Sequence, residues 1–324
     1  MAVDINLINE AQALDLWADS PHNSVFTHPQ VLSKLSHEVD WWQADKGNQP
    51  QCIWPICKST EKQVELPALT YYVGPLWMNG VFPLPAHRSL ARTTEVYEQF
   101  IDRFIIEYGA IEASLPKGLL DVRVFDWWNY HHKDQPRFRI RPRYTACIEN
   151  LQNKTDQEII ADFRQLRRRE LRAIEKYPPP PRATQWRSDD LMNLYLSVVD
   201  DQTDEIKEKN CQQISALVDL VNMGFGDLIA FQGPEDERVI AACLLLYDQS
   251  EANMVLNLVN EDWRGTGLAA WMIKESILAA KSKGMSTFDF NGANSPNRGD
   301  DKHSYGASPI LYFDIKFPGE NHLV

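Results

Sequence analysis

The segment from residue 253 to residue 291 constrains the fold of this 324-residue chain more than any other part of it. It opens with the β-prone run Asn253 to Val259 and continues into the glycine turn EDWRGTGLAA, residues 261–270. Apolar residues then recur every three or four positions, which predicts an amphipathic helix that ends at Gly284. A further strand is predicted over 286–291. This order of strand, glycine turn, helix and strand is typical of an α/β domain.

The residues before this segment extend the same pattern. An antiparallel meander of three strands is predicted over 227–232, 238–247 and 253–259. Helices are predicted over 191–199 and 212–223. Thr155, followed three residues later by Glu158, predicts a capping box at the start of a helix that carries Phe163 and Leu166, and the four prolines 178–181 predict its end.

The N-terminal half predicts a second α/β layer. Helices are predicted over 11–17, 29–35 and 90–108, and strands over 52–58 and 122–127, while the segment 69–78 is β-prone but broken by Gly74 and Pro75. A strand over 144–148 is predicted in the C-terminal half. The polar stretch 129–143 contains Pro136 and Pro142, and it is predicted to connect two domains. Since the length also favours two domains, we expect an N-terminal domain, residues 1–143, and a C-terminal domain, residues 144–324.

Composition excludes several classes of function. The 33 basic and 45 acidic residues give a net charge of −12, which opposes binding to DNA. The five cysteines form no CxxC pair, which favours reduced thiols and a cytoplasmic location. The chain begins without a signal-peptide pattern and has no apolar run long enough for membrane insertion. His131 and His132 are adjacent without a third ligand nearby in the sequence, so no metal is expected.

The glycine turn has the chemistry of an anion site. Arg264, Gly267 and Ala269 match the pattern R-x-x-G-x-A, and Gly265 is a second residue without a side chain in the same turn. Amides at a helix N-terminus have no intrahelical partners and lie at the positive end of the helix dipole, so they can hold a diphosphate. The alternative is a tight turn whose glycines serve only strand-to-helix packing.

The turn resembles the acyl-CoA-binding segment of the GNAT acyltransferase superfamily. Five segments are similar, in order and spacing, to the second GNAT-like domain of the FemAB-related acyltransferases: YTACIENL, FRQLRRRELRAIEK, FGDLIAFQGPEDERVIAACLLL, LAAWMIKESILAAKSKGMSTFDFNGAN and KHSYGAS. The segments NSVFTHPQVLSKL and VGPLW are similar to the degenerate first domain of that group. The resemblance implies an α/β fold of two tandem GNAT-like domains with mixed central sheets.

The resemblance also implies a function. The chain would transfer an acyl group, acetyl above all, directly from acyl-CoA to the amine of a small molecule, sugar or peptide. Some FemAB-type relatives take an aminoacyl group from tRNA instead, and a catalytically inactive binding protein is a third alternative. The R-x-x-G-x-A pattern favours the CoA donor. The donor-binding residues implied are Leu258, Val259, Asn260, Arg264, Gly265, Thr266, Gly267, Leu268 and Ala269.

Candidate catalytic residues follow the predicted strand 286–291. Strand alternation places Asp289 and Asn291 on one face. Asp289 is a candidate general base, with the tethering of the next loop as the alternative, and Asn291 is a candidate acceptor-binding residue. The predicted loop 292–306 adds His303, Tyr305 as a proton donor to the thiolate, and Lys302 as a contact for an anionic acceptor.

A dense run of arginines lies on the helix predicted after Thr155. Arg164, Arg168 and Arg172 are spaced to share one stripe of that helix, beside Arg167 and Arg169. Guanidinium groups suit phosphate, so the stripe is a candidate site for a phosphorylated acceptor or an RNA end. Neutralisation by neighbouring acidic residues, as on an ordinary solvated face, is the favoured alternative.

Overall fold

The computed structural model describes residues 2–81, 86–132, 134–175, 182, 186–199, 202–233 and 238–319. The chain divides into two compact units: unit 1 is Met1–Arg143 with Leu311–Val324, and unit 2 is Tyr144–Ile310. The division falls inside two long strands, β6 (Arg139–Ile148) and β11 (Ser308–Phe317). The end of the chain therefore groups with unit 1, whereas the sequence pattern placed it in the C-terminal domain.

Unit 1 contains an antiparallel sheet. The strands that begin in this unit are β1 (Val3–Ile8), β2 (Glu38–Lys46), β3 (Pro50–Lys58), β4 (Leu76–Trp77) and β5 (Ile111–Ser114), of which the first four form the sheet. The helices of the unit are α1 (Glu10–Asp19), α2 (Pro29–Leu35), α3 (Ala86–Tyr108) and α4 (Arg123–Trp127). The sheet order is β1-β2-β3-β4, with each pair antiparallel. β5 pairs antiparallel with β11, which comes from the far end of the chain.

Aromatic side chains fill the core of unit 1. Trp42 of β2 and Trp54 of β3 pack against Phe100 and Phe104, which lie one turn apart on α3. The rings of Trp54 and Phe104 meet edge to face at 5.3 Å. Burying a large apolar side chain of this kind contributes about 1.5–3 kcal/mol. The four rings therefore fix α3 against the sheet.

Unit 2 contains the mixed sheet that the sequence predicts. Its further strands are β7 (Gly226–Gln232), β8 (Val239–Tyr247), β9 (Glu251–Val259) and β10 (Thr287–Asp289), and its helices are α5 (Asp156–Ala161), α6 (Gln165–Ile174), α7 (Ser188–Val198), α8 (Asp204–Asn222), α9 (Leu268–Ser282) and α10 (Pro296–His303). The strand order is β6-β10-β9-β8-β7. The meander β7-β8-β9 is antiparallel, as predicted, and only the described pair β9-β10 is parallel.

Helices cover both faces of this sheet. α9 and α6 pack on the face that carries Cys243 and Leu245 of β8. α7 contacts β8 and β9, and α8 contacts β7. Neither helix contributes to the core cluster that contains Cys243, Leu245 and residues of α6 and α9. Strand β8 is consequently buried at nearly every position, which explains why its sequence is a continuous apolar run rather than an alternating one.

Several predicted elements differ in the structure. The predicted strand 122–127 is the helix α4, because Asp121 accepts a hydrogen bond from the backbone N–H of Arg123 and the apolar Val124 and Phe125 turn into the core. The predicted connection 129–143 includes the first residues of β6, and within the β-prone segment 69–78 only Leu76–Trp77 forms a strand. β-Propensity was overridden by tertiary packing in these segments.

The region after Thr155 also differs from the prediction. Its capping box is confirmed, with the Thr155 and Glu158 side chains each accepting the other residue's backbone N–H. The helix nevertheless stops at Ala161, and α6 starts separately after Arg164, whose N–H donates to the Ser304 carbonyl. The arginine stripe therefore does not belong to the helix that Thr155 caps. The prolines 178–181 lie outside the described residues.

Candidate functional site

Strands β9 and β10 separate part of the way along β9. Their last paired residues are Asn253 and Asp289, where β10 ends. Beyond that pair, residues 254–259 of β9 pair with β8 alone among the described strands. We call the place where the two strands part the fork, formed by Asn253, Asp289 and Asn291. One edge of β9 past the fork is consequently open, and such an edge presents backbone donors and acceptors to an extended ligand.

A β-bulge lies just beyond the fork. Leu256 pairs with Leu244, but Met254 pairs with Leu245, so Val255 is an extra residue on β9. A bulge bends its strand and increases the local twist. Leu258 and Val259, two predicted donor-binding residues, lie on the bent part, opposite Ala242 and Ala241 respectively of β8.

The open part of β9 leads into the glycine turn. Asn260 ends the strand and caps a short 3-10 helix, Glu261–Trp263, through a hydrogen bond from the Asp262 N–H at 3.0 Å. Arg264, Gly265 and Thr266 then lie exposed, and α9 begins at Leu268. The turn is therefore accessible to a ligand, not filled by neighbouring side chains.

Several amides in the turn have no acceptor. The Leu268 N–H is held by the Thr266 hydroxyl at 3.3 Å, and the helical ladder of α9 starts with the Trp271 N–H donating to the Gly267 carbonyl. Between them, the N–H groups of Ala269 and Ala270 find no acceptor within the described chain. These free donors lie at the positive end of the α9 dipole, so the turn has the electrostatics of an anion site.

The two glycines of the turn have different surroundings. Both adopt positive φ, +79° at Gly265 and +93° at Gly267. A Cβ on Gly265 would meet no atom within 4 Å, whereas a Cβ on Gly267 would lie 2.6 Å from the Glu170 carbonyl oxygen of α6. Gly267 thus serves the packing of α9 on α6, and Gly265 keeps the turn open.

The one cation of the turn is already paired. Arg264 lies 2.6 Å from the Glu261 carboxylate, and both side chains are more than half exposed. An exposed pair of this kind contributes little, because solvent screens it. Arg264 therefore remains able to exchange Glu261 for a phosphate.

A cavity of about 610 Å³ borders the same turn. Its walls include Asn260, Asp262 and Trp263 of the turn, Arg238 before β8, and Asp190 and Asn193 of α7. The volume is within the range of small-molecule sites. Unit 2 therefore has room for a ligand next to the first residues of the turn, Asn260 to Trp263.

Asp289 is completely buried at the fork. Its Oδ1 accepts hydrogen bonds from the Thr145 hydroxyl and, at 2.8 Å, from the Asn291 N–H. Asn291 is also buried, has a φ of +49°, and donates from Nδ2 to the Met254 carbonyl at 3.3 Å. These bonds tie the residues after β10 to β9, which is the tethering alternative. β10 ends at Asp289, so the predicted strand alternation does not extend to Asn291. The side chains of Asp289 and Asn291 nevertheless both lie at the fork.

Asn253 is a residue of the fork that sequence reasoning missed. It is fully buried, and neither its amide oxygen nor its amide nitrogen has a partner within the described chain; the Asn291 Oδ1 also has none. Nearly all buried polar groups in proteins are hydrogen-bonded, so such a concentration of unpaired atoms is unusual. A polar residue in the middle of the apolar strand EANMVLNLV was the available signal.

The predicted loop 292–306 contains the helix α10, with Pro296 in its first turn. Lys302 donates from Nζ to the carbonyls of Phe290, Asn291 and Gly292, so its ammonium group closes the turn after β10. His303 Nδ1 lies 2.9 Å from the Ala307 carbonyl. Both predicted site residues thus contact backbone carbonyls.

Tyr305 lies in the apolar interior of unit 2. Its ring stacks on Phe290 at 5.8 Å and meets Phe163 edge to face. The hydroxyl is buried without a partner among the described residues. Burial raises the pKa of this phenol, so it holds its proton at neutral pH.

Carboxylates neutralise two of the five arginines between positions 164 and 172. Arg164 pairs with Asp300 at 2.7 Å, and this pairing lowers the pKa of Asp300. Arg167 pairs with Glu170 at 2.8 Å and also with Asp301, while its guanidinium lies over the Tyr305 ring. The favoured alternative, a face neutralised by acids, describes these two arginines.

No group of three or more histidine, cysteine or acidic side chains within the described ranges is placed to hold a metal ion. None of the helices described in the chain combines the length and apolar character needed to cross a bilayer.

No protein-family model matches the sequence, and no curated protein is detectably similar to it. Solved structures, by contrast, resemble the whole chain. FemX superposes with a TM-score of 0.63 at 10% identity, covering 96% of both chains. A tandem GNAT protein from the clavulanic acid biosynthesis pathway gives 0.53 at 9% identity, covering 97% of both. L-PGS from Bacillus licheniformis gives 0.52 at 10% identity, covering 97% of this chain and 95% of its own.

These likenesses establish the fold. The chain has a tandem GNAT fold related to that of FemAB-type proteins, as the sequence pattern predicts. Identities of about a tenth do not extend the likeness to substrates.

Proposed function

We propose that this tandem GNAT-fold chain is an acyltransferase that moves an acyl group, acetyl in the first instance, from acyl-CoA to an amine. The observation that carries the proposal is the open edge of β9 continuing directly into an exposed turn with unpaired amides. An extended donor with a diphosphate at one end matches both parts of this surface.

Each part of the donor has a counterpart. The pantetheine arm carries amide groups, which would pair with the open edge of β9 at Leu258 and Val259 in the manner of an added strand. The diphosphate would accept hydrogen bonds from the free N–H groups of Ala269 and Ala270, with Arg264 adding charge. The acyl group would then lie toward the fork.

The chemistry requires balanced proton transfers. The neutral amine of the acceptor attacks the thioester carbon; the new C–N bond forms, the C–S bond breaks, and the nitrogen loses a proton while the thiolate gains one. Tyr305 is the candidate proton donor, because its buried phenol keeps its proton and has no hydrogen-bond partner among the described residues; the burial that raises its pKa also makes it a weaker acid. Asp289 is the candidate proton acceptor and His303 the alternative. Asn291 remains a proposed contact for the acceptor.

A charge at Thr266 tests donor binding. The Thr266 side chain is exposed and accepts from the Leu268 N–H, so Thr266→Asp keeps a capping acceptor while adding a negative charge beside the diphosphate position. One like charge about 5 Å away costs on the order of 1–3 kcal/mol, which weakens acetyl-CoA binding about tenfold or more. Thr266→Asn is the matched neutral control and should bind as the wild type does.

The measurement is the melting temperature of the full chain titrated with acetyl-CoA, since a ligand that binds only the native state raises it with concentration. We expect the wild type and Thr266→Asn to shift alike and Thr266→Asp to need far more ligand. A wild type that does not respond to millimolar acetyl-CoA, or two variants that behave identically, would contradict the proposed donor site. Release of CoA thiol in the presence of a panel of amines then separates an enzyme from a binding protein.

The rival donor is aminoacyl-tRNA, which the structural likeness to FemX keeps in view. Its phosphates would need free cations. Arg164 and Arg167 are paired with acids, Arg168, Arg169 and Arg172 make no salt bridge with the described residues, and the chain as a whole has a net charge of −12. A tRNA affinity that falls steeply between 50 and 200 mM salt, with a slope of log affinity against log salt that corresponds to about six or more phosphate contacts, would favour the aminoacyl-tRNA donor. We expect no such binding.

A further inference from the structure

The carboxamide of Asn253 is a buried polar group without a hydrogen-bonding role among the described residues. The side chain is fully buried, and neither Nδ2 nor Oδ1 has a partner within the described chain. Each buried polar atom left unpaired costs about 1–3 kcal/mol, and a leucine at this position of the apolar strand EANMVLNLV would avoid that cost. Local rules of this kind are broken chiefly at functional sites. The carboxamide therefore indicates a ligand that pairs with it.

Asn253 lies where a ligand bound along β9 would end. It is the last residue of β9 that pairs with β10, and its partner is Asp289, the candidate proton acceptor. Paired residues of neighbouring strands share a face of the sheet, so the carboxamide and the Asp289 carboxylate lie on the same face. The next residue is Met254, whose carbonyl accepts from the Asn291 Nδ2 at 3.3 Å. The carboxamide thus lies at the closed end of the open edge.

The length of the proposed donor brings its thioester to this point. The pantetheine arm has about twelve bonds between the diphosphate and the sulfur, which is the main-chain length of about four residues. Counted back from Val259, where β9 meets the turn, that length ends at Val255. The thioester carbon is one bond beyond the sulfur. The carbonyl would therefore lie within about two residues of Asn253.

A carboxamide is complementary to the intermediate of amine acylation. When the amine attacks, its nitrogen and the carbonyl oxygen become attached to the same carbon, with the spacing of the nitrogen and oxygen of a carboxamide. The Nδ2 of an asparagine can then donate to that oxygen while its Oδ1 accepts the N–H of the amine. Before the attack the amine nitrogen is farther away, and the second bond is incomplete. Interactions that are stronger in the transition state than in the ground state accelerate a reaction.

We propose that Asn253 is a catalytic residue of the acyl transfer, and that its carboxamide binds the tetrahedral intermediate through both Nδ2 and Oδ1. The inference rests on the proposed function. As the C–N bond forms, the electron pair of the carbonyl moves onto the oxygen that Nδ2 binds, and it returns as the C–S bond breaks and the thiolate leaves. The nitrogen loses its proton to Asp289 or His303, and Tyr305 protonates the thiolate. An asparagine without contact to the reacting atoms is the alternative.

Infrared spectroscopy of bound acetyl-CoA tests the bond from Nδ2 without an acceptor amine. The acetyl carbonyl is isotopically labelled, because its stretch moves to lower frequency when the oxygen accepts a hydrogen bond. We expect a lower frequency on the wild type than on Asn253→Leu, which removes both atoms of the carboxamide. Gln213→Leu is the matched control, since it removes a buried amide nitrogen on α8 that has no partner among the described residues, and it should give the wild-type frequency. Asn253→Ala provides the same comparison if the leucine variant does not fold.

Kinetics test the two bonds in the transition state. With the most active amine of the panel, Asn253→Leu should lower kcat for the release of CoA about 100-fold or more, as the loss of one oxyanion donor does. The KM for acetyl-CoA should change little, because the second bond is completed only after attack. Gln213→Leu should keep both values of the wild type.

The outcomes separate this inference from the proposed function. A wild type whose melting temperature does not respond to millimolar acetyl-CoA has no donor site, which overturns both. Binding by every variant with one common carbonyl frequency, or a wild-type kcat in Asn253→Leu, overturns the role of Asn253 and leaves the donor site standing. A higher carbonyl frequency on Asn253→Leu than on the wild type and Gln213→Leu supports the role.

Discussion

Replacing Gly267 by alanine tests the packing of α9 on α6. Alanine at a φ of +93° costs about 1–2 kcal/mol in the left-handed region. The new Cβ would lie 2.6 Å from the Glu170 carbonyl oxygen, and separating two packed helices to relieve such a contact adds about 1–3 kcal/mol. Reduced freedom of the unfolded chain returns about 0.4–1 kcal/mol. We therefore expect Gly267→Ala to lower the free energy of unfolding by about 2–4 kcal/mol.

Gly265→Ala is the matched control. Its φ of +79° imposes a similar backbone cost, but its Cβ would meet no atom within 4 Å, so the net loss should be about 1 kcal/mol or less. Urea denaturation of both variants, with the slope held to the wild-type value, measures the difference. Equal losses in the two variants would refute the close approach of the α6 backbone.

A third variant locates the contact on the backbone. Glu170→Ala removes the side chain but keeps the carbonyl oxygen that the Gly267 Cβ would strike. It should therefore not rescue Gly267→Ala, and the two losses should add within about 0.5 kcal/mol. Rescue by Glu170→Ala would mean that the clash involves the side chain.

Three further predictions concern the fork, the turn after β10 and acid stability. Asn253→Leu should leave the free energy of unfolding unchanged or raise it by about 1 kcal/mol, because a buried amide without partners is removed; a loss above 1 kcal/mol in urea denaturation would show a structural role. Lys302→Met should cost about 2–3 kcal/mol, since three carbonyls lose a charged donor, and a melting temperature equal to that of the wild type would refute this. Burial lowers the pKa of His28, so as the pH falls below about 6.5 the unfolded chain takes up a proton on this histidine before the folded chain does, and the free energy of unfolding decreases. His28→Gln should flatten this part of the curve of unfolding free energy against pH, measured by urea denaturation. An unchanged slope would contradict the prediction.

Local signals in the sequence predicted the parts of unit 2 that depend on neighbouring residues. The meander β7-β8-β9 and the capping box at Thr155 are confirmed because alternation, turns and caps act over a few residues. The tandem fold was implied by the resemblance of several segments, in order, to the FemAB-related acyltransferases. The glycine turn was identified by its spacing, although the sequence did not show that Gly267 and Gly265 would face such different surroundings.

The sequence failed where distant residues decide the outcome. The helix α4 forms in a β-prone run because its apolar side chains are buried in the core of unit 1. The break before α6 depends on the hydrogen bond from the Arg164 N–H to the Ser304 carbonyl. Asn253 was missed for the same reason. A single asparagine in an apolar strand can be interpreted only when the neighbouring strand, which comes from a distant part of the sequence, is known.

The pairing of β5 with β11 has a consequence for synthesis on the ribosome. Ile111 emerges long before its partner Phe317, and the 317 − 111 = 206 residues added after Ile111 up to Phe317 take about 10–40 s to translate at roughly 5–20 residues per second. During that interval the nascent N-terminal unit lacks one of its strands and leaves β5 with an unsatisfied edge, the kind of surface that chaperones shield. Premature termination anywhere before β11 would leave that vacancy permanent.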